Sequence, residues 1–258
     1  MILVEGGTFQ MRDVRNDSEG YYIDKPGHVV NLTYDYWIGQ YPVTFDEYNT
    51  YTNATGNSLE RDSSYGRGQR PVININWWDA ARYCNWLSKK EGISKAYNDF
   101  GNLLDRDGSK TTDIKKAEGY RLPTEAEWKY AARGGKKTKG YKYSGSDNLD
   151  EVGWYWNNWG NANSKTQPVG QKKANELGIF DMSGNVWEWC HDWYASYTNK
   201  AQTNPIGANS GSYRLIRGGS WCSAAYYCRV AGQSYDYPWN TSTSSGFRLA
   251  RTDLPMIV

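Results

Sequence analysis

The stretch NELGIFDMSGNVWEWCHDW, Asn175 to Trp193, is where the reading of this chain begins. Gly178, Asp181 and Gly184 punctuate its first half as turns, and the second half is an extended run carrying Trp187, Trp189 and Trp193. In an extended segment neighbouring side chains point to opposite sides, so Cys190 and His191 are expected in structural roles and not as a thiolate–imidazole pair. The pattern Asp181-x-x-Gly184-x-Val186-x-Glu188 sets two carboxylates about two turn carbonyls. Hard cations such as calcium take oxygen-rich sets of this kind, which makes Asp181, Gly184, Val186 and Glu188 candidates for a structural calcium site. The competing reading is an Asx turn plus an ion pair from Glu188 to a framework arginine such as Arg217. Nothing else in the chain supports Glu188 and Asp192 as an acid–base pair.

Outward from that stretch, helical patterns are few. Thr44–Tyr51 and Thr124–Arg133 each open with threonine followed three residues later by glutamate, a capping box. Trp77–Glu91 places apolar residues at 78, 81, 84 and 87 and stops at Gly92, which puts Cys84 on a buried stripe. Val29–Ile38 alternates with period two and reads as a strand. Past Arg133 the sequence shows no helix, only connections rich in Gly, Asn, Ser and Trp, and 136–151 and 196–212 read as surface loops. With no repeat or linker to split it, the chain is expected to be one α+β domain over 1–258.

Composition removes several classes of function. The 30 Lys and Arg nearly balance 28 Asp and Glu, which argues against a nucleic-acid binder. Mean hydropathy is −0.83, and no apolar run reaches the length of a membrane span. Aromatic residues at 16% exclude disorder. Four scattered cysteines and two histidines suit neither a disulfide scaffold nor a zinc site. Cys190 is left open to pair with Cys84 or Cys228, or to stay free. Residues 1–7 lack the charged and apolar regions of a signal peptide, which leaves cytosolic residence and removal of an export signal both open.

Four segments in order resemble the formylglycine-generating-enzyme, or sulfatase-modifying factor, family: VEGGTFQM (4–11), GYRLPTEAEW (119–128), the 175–193 stretch, and RGGSW (217–221) with GFRLAR (246–251). The resemblance implies a C-type-lectin-like fold with small twisted antiparallel sheets, few helices and long structured loops. Copper oxidases of that family use two thiolates in a Cys-x4-Cys segment after the GGS motif, as soft Cu(I) requires. Here Cys222 and Cys228 are separated by five residues, and the intervening SAAYY lacks the His and Ser that the enzymes carry there. An oxidase using those two cysteines is the alternative reading.

The chain's end also resembles the variable proteins of diversity-generating retroelements, which share this fold. Their fixed frame, RGGSW…A…CRVA…P…GFRLAR, is matched by Arg217–Trp221, Ala225, Cys228–Ala231, Pro238 and Gly246–Arg251. In that family the residues between descend from Asn codons with randomised adenines, which reach Tyr, Ser, Asp, Cys, Ala, Gly and Thr but never Trp or Gln. Cys222, Ser223, Ala224, Tyr226, Tyr227, Gly232, Ser234, Tyr235, Asp236, Tyr237, Asn240, Ser242, Thr243 and Ser244 are all reachable. Gln233 and Trp239 are not, and come from fixed or other codons. Tyrosine with small polar residues is also the composition of antibody paratopes.

The expectation is therefore a non-enzymatic scaffold with a variable region at 217–251. Tyr226, Tyr227, Tyr235, Tyr237 and Trp239 would be anchors, with Ser223, Asp236 and Asn240 as polar contacts. No cofactor is required, and a structural calcium at 181–188 is the one candidate. The expected partner is a protein or glycan ligand, with no nucleic acid, bound by a monomer. The resemblance implies display at a bacterial surface. Neither EPN nor QPD, the sugar-binding tripeptides of C-type lectins, occurs.

Overall fold

The computed structural model describes residues 1–11, 27–57, 65–158 and 165–254. Within them three small sheets carry four helices. The first sheet sets β1 (Ile2–Val4) and β10 (Ala250–Thr252) antiparallel on either side of β4 (Tyr36–Ile38), so the two ends of the fold meet on one strand. The second is β2 (Gly7–Gln10), β3 (Val29–Leu32) and β6 (Gln202–Thr203). The third, in the order β8-β7-β5-β9, consists of Gln233–Asp236, Arg214–Arg217, Trp187–Trp193 and Ser245–Gly246. This is the α+β, formylglycine-generating-enzyme-like arrangement that the motifs imply.

The expected strand over 29–38 is two strands in different sheets, interrupted at Thr33–Asp35. Helix α1 spans Phe45–Thr55, four residues beyond the expected end, because the chain first finds a left-handed cap at Gly56. Its capping box, and that of α3 (Glu125–Ala132), form as expected. Helix α2 (Trp77–Lys90) buries Trp77, Ala80, Ala81, Tyr83, Cys84 and Ser88, a stripe rotated from the expected one. The cause is Trp77, whose fully buried indole donates to the Cys190 carbonyl at 2.9 Å. A single turn, α4 (Leu149–Val152), stands where no helix is expected, and Tyr143–Ser146 is buried, so 136–151 is not wholly a surface loop.

Helix α3 decides how the core is built. All eight of its residues are buried, although its sequence, EAEWKYAA, contains three charges. The glutamates survive burial because each meets an arginine. Glu127 takes Arg121 through both oxygens at 2.7 Å, and Glu125 takes Arg217 at 2.7 Å. Trp128, next in the helix, sends its indole N–H to Glu188 at 2.5 Å. The helix thus ties the third sheet to the first, where the Tyr36 hydroxyl of β4 donates to the Glu127 carbonyl at 2.7 Å, through polar contacts as well as through apolar burial.

Candidate functional site

The 217–251 segment starts at the end of β7 and returns through β8 and β9 to β10. Gly218 and Gly219, with φ of 98° and 72°, turn the chain. A Cβ at Gly219 would stand 2.6 Å from the Cys228 sulfur, so glycine is needed for close approach as well as for the turn. Residues Ala225–Cys228 form a 3-10 turn. Most frame side chains then point inward: Trp221, Cys228, Arg229, Val230, Ala231, Phe247 and Arg248 are buried, as is Gln233 between them, while Ala225, Leu249 and Arg251 are half-buried.

The filler positions are held differently, by their main chain. The Ser223 carbonyl accepts from Trp156 N–H at 3.0 Å, Ser242 from Asn74 at 2.9 Å, and Ser244 from Trp187 at 2.8 Å. The Thr243 carbonyl accepts from the Trp221 indole at 3.1 Å, and the Tyr226 carbonyl from Arg229 at 2.9 Å. Arg217 donates to the carbonyls of Ala231 and Gly232 at 2.9 and 2.5 Å. A carbonyl is present whatever the side chain, so these bonds persist through substitution at the residue that supplies it.

The side chains at these filler positions are exposed or half-buried, with two exceptions. Ser223 is buried, and its hydroxyl is tied to Ser220 by accepting the Ser220 N–H at 3.0 Å and meeting the Ser220 hydroxyl at 2.8 Å. It is a bracket of the turn and not a free polar contact. Gly232 is also buried, and a Cβ there would meet the Tyr227 carbonyl at 2.6 Å. Both are read as variable from residue type alone, and packing overrides that reading. Ala224 is exposed; Cys222, Ser234, Asp236, Asn240, Ser242, Thr243 and Ser244 are half-buried.

The aromatic anchors fall into two groups. Tyr226 and Tyr227 lie 3.9 Å apart by ring centroid, and Tyr227 sits edge-on to Trp187. The second group is a continuous ladder: Tyr194–Tyr235 at 4.2 Å, Tyr235–Tyr213 at 4.9 Å, Tyr213–Tyr237 at 4.5 Å and Tyr237–Trp239 at 4.9 Å, the last stacked within 19°. Tyr235, Tyr237 and Trp239 are 41%, 37% and 60% exposed. Asp236 shapes the turn that presents Trp239, accepting from Tyr237 N–H at 2.8 Å and from Asn240 at 2.6 Å. Tyr194 and Tyr213 belong to this surface and were not among the expected residues. They lie outside the frame, and only the strand register of β7 with β8 (Leu215 opposite Tyr235) brings them there.

The calcium reading of the 181–188 loop does not fit. Both Glu188 oxygens are taken, by Arg248 at 2.6 and 2.7 Å and by the Trp128 indole, and a guanidinium stands where a cation would have to bind. Asp181 points elsewhere, accepting from Gly170 N–H at 2.8 Å and from Asn185, and burial lifts its carboxyl to about 6. The Gly184 carbonyl accepts from Val186 N–H at 3.0 Å. Among the described residues no three His, Cys, Asp or Glu side chains gather as a metal site. Glu188 does pair with a framework arginine, but it is Arg248 and not Arg217, which serves Glu125.

All four cysteines are free. Burial pushes the thiols of Cys84, Cys190 and Cys228 up. His191 is buried against Tyr97, its Nδ1 3.3 Å from the hydroxyl, and burial with the Arg214 charge holds its pKa well down.

The profile of the sulfatase-modifying factor enzyme 1-like domain matches residues 1–253. The chaperone protein LppX of Paenibacillus barcinonensis is 38% identical over 254 residues, 90% of this chain and 81% of that one. A formylglycine-generating enzyme of Streptomyces coelicolor is 33% identical over 206 residues; the match takes in 74% of this chain but only 55% of the enzyme's length. Among solved structures, Treponema denticola variable protein 1 superimposes with a TM-score of 0.78 at 35% identity, over 98% of this chain and 95% of its own.

Proposed function

The chain belongs to the sulfatase-modifying factor enzyme 1-like domain family, and from that membership we propose that it is a non-catalytic ligand-binding scaffold whose specificity lies in the diversified 222–244 surface. The observation that carries the proposal is the division of labour in that segment. Frame residues are held by buried side chains, and filler residues by backbone carbonyls, so filler identity changes without loss of fold. Similarity to the Treponema variable protein supports the same reading. Preorganisation of the loop lowers the ordering cost of binding, and Tyr226, Tyr227, Tyr235, Tyr237 and Trp239 supply contact area. The ligand is a macromolecule, protein or glycan, met at a bacterial surface, and adenine-directed mutagenesis of the gene renews the filler.

Sequencing the 3′ end of this gene and any near-copy across clones of one strain tests the diversification. Differences confined to adenine positions of a template, changing only outward residues such as 226, 235, 237 and 242–244, are expected. An invariant segment without a template repeat overturns it. The alternative, an oxidase holding Cu(I) between Cys222 and Cys228, predicts stoichiometric copper binding that is lost in Cys228→Ser.

A further inference from the structure

We propose that the edge of β2 that has no partner strand among the described residues, with the groove beside it, is a second docking site that takes an extended, acidic polypeptide segment as an added strand. The register fixes which backbone groups are available. Met11 N–H donates to the His28 carbonyl at 2.8 Å, one step beyond the pairs Gly7↔Leu32 to Gln10↔Val29. In an antiparallel ladder bonded pairs alternate, so Phe9 and Gly7 also bond to β3, while Thr8 and Gln10 turn N–H and C=O away from it. The far margin of β3 obeys the same parity: Asn31, opposite Thr8, offers its carbonyl outward to Asn204 N–H at 2.9 Å. Among the described residues β2 pairs on one side only.

A groove of about 560 Å³ touches Gly7, Thr8, Phe9 and Gln10 together with Tyr130, Arg133, Lys136 and Tyr141. Consecutive strand residues point to opposite faces, so a groove that meets all four runs along the strand edge and not beneath one face. Its apolar wall is Phe9 packed on Tyr130 at 5.2 Å. Its charged lining residues, Arg133 and Lys136, are basic, and the 133–142 segment adds Lys137, Lys139 and Lys142 with no acid of its own, Glu176 approaching it at the Lys139 N–H. Lys136 pairs with Glu5 at 2.7 Å, but both side chains are exposed. An added strand would satisfy Thr8 and Gln10 through its main chain, set alternate apolar side chains against Phe9 and Tyr130, and turn carboxylates to the lysines. A lipid headgroup would meet the charges yet leave the strand edge unused.

The test is calorimetric titration of the whole chain with an end-blocked octapeptide of alternating Val and Glu. Its Val/Lys counterpart, its fully N-methylated form, and phosphatidylglycerol vesicles serve as comparisons. Saturable one-to-one binding by the Val/Glu peptide alone is expected. Loss of one ladder bond in Gln10→Pro should weaken it about tenfold. The exposed double change Lys136→Glu/Lys137→Glu should weaken it as much, and it carries the test if the proline variant fails to fold. Equal binding of the N-methylated peptide, equal binding of the lysine peptide, no binding at all, or binding of vesicles in the peptide's place would each overturn the proposal.

Discussion

Arg248 grips both carboxylate oxygens of Glu188, Nε to Oε2 at 2.6 Å and Nη2 to Oε1 at 2.7 Å, with neither side chain reaching solvent. Arg217 makes the corresponding buried pair with Glu125 at 2.7 Å. The segment proposed to vary lies between these two arginines. It is thus clamped at each end to an acid of the fixed core, from β5 and from α3. Replacing one partner of such a pair strands the other charge, and Arg248→Met is expected to cost about 3–5 kcal/mol in denaturant unfolding. Glu188→Gln in addition should recover much of that loss. A single-variant cost below about 1 kcal/mol would mean the clamp is not structural.

Filler positions predict the opposite behaviour. Changing Ala224, Tyr226 or Thr243 to other residues that Asn codons reach should move stability by no more than about 1 kcal/mol each, because the surface side chain is not what holds the loop. Gly232→Ala is expected to cost about 1–3 kcal/mol, since the new methyl group must displace the Tyr227 carbonyl 2.6 Å away. Thermal unfolding of the four variants separates the two classes. Equal tolerance at Gly232 would return it to the variable set.

The motifs made the fold legible, and the frame predicted which side chains of 217–251 turn inward. Three things were not legible. Ser223 has the residue type of filler, but its hydroxyl is consumed by Ser220, a contact that only the turn geometry creates. Tyr194 and Tyr213 join the aromatic ladder through strand pairing across more than twenty residues, beyond the reach of local pattern. The oxygen-rich spacing of Asp181 to Glu188 looked like a cation loop because spacing is blind to Arg248, sixty residues away, which supplies the positive charge instead.

Thiol reactivity tests the proposed scaffold against the copper-enzyme alternative. Cys222 is half-buried, whereas Cys84, Cys190 and Cys228 are buried with their thiols pushed up. Native protein should therefore react rapidly with Ellman's reagent at one thiol, that of Cys222, and at all four after unfolding. Cys222→Ser should abolish the fast phase and leave the melting temperature unchanged. Stoichiometric Cu(I) binding lost in Cys228→Ser would instead restore the oxidase reading.

Asp192 predicts a pH dependence of definite sign. Burial, and then the Glu125 charge, lifts its carboxyl from 3.8 to about 8, and its Oδ2 accepts the Glu125 N–H at 2.9 Å. A folded pKa above the unfolded one means the native state holds a proton that the unfolded chain releases. The stability from Asp192 is therefore full below about pH 4 and is lost as pH rises through 8. Asp181, lifted to about 6, adds a slope of the same sign at lower pH, while His191, held down, opposes it below its ordinary 6.5. Between about pH 6.5 and 8 the descending contribution of Asp192 is the dominant one of the three. Urea unfolding across that window should show stability falling with pH. In Asp192→Asn, which takes up no proton but still accepts from Glu125, the slope should flatten. An unchanged slope would place the carboxyl's titration outside the window and remove Asp192 as its source.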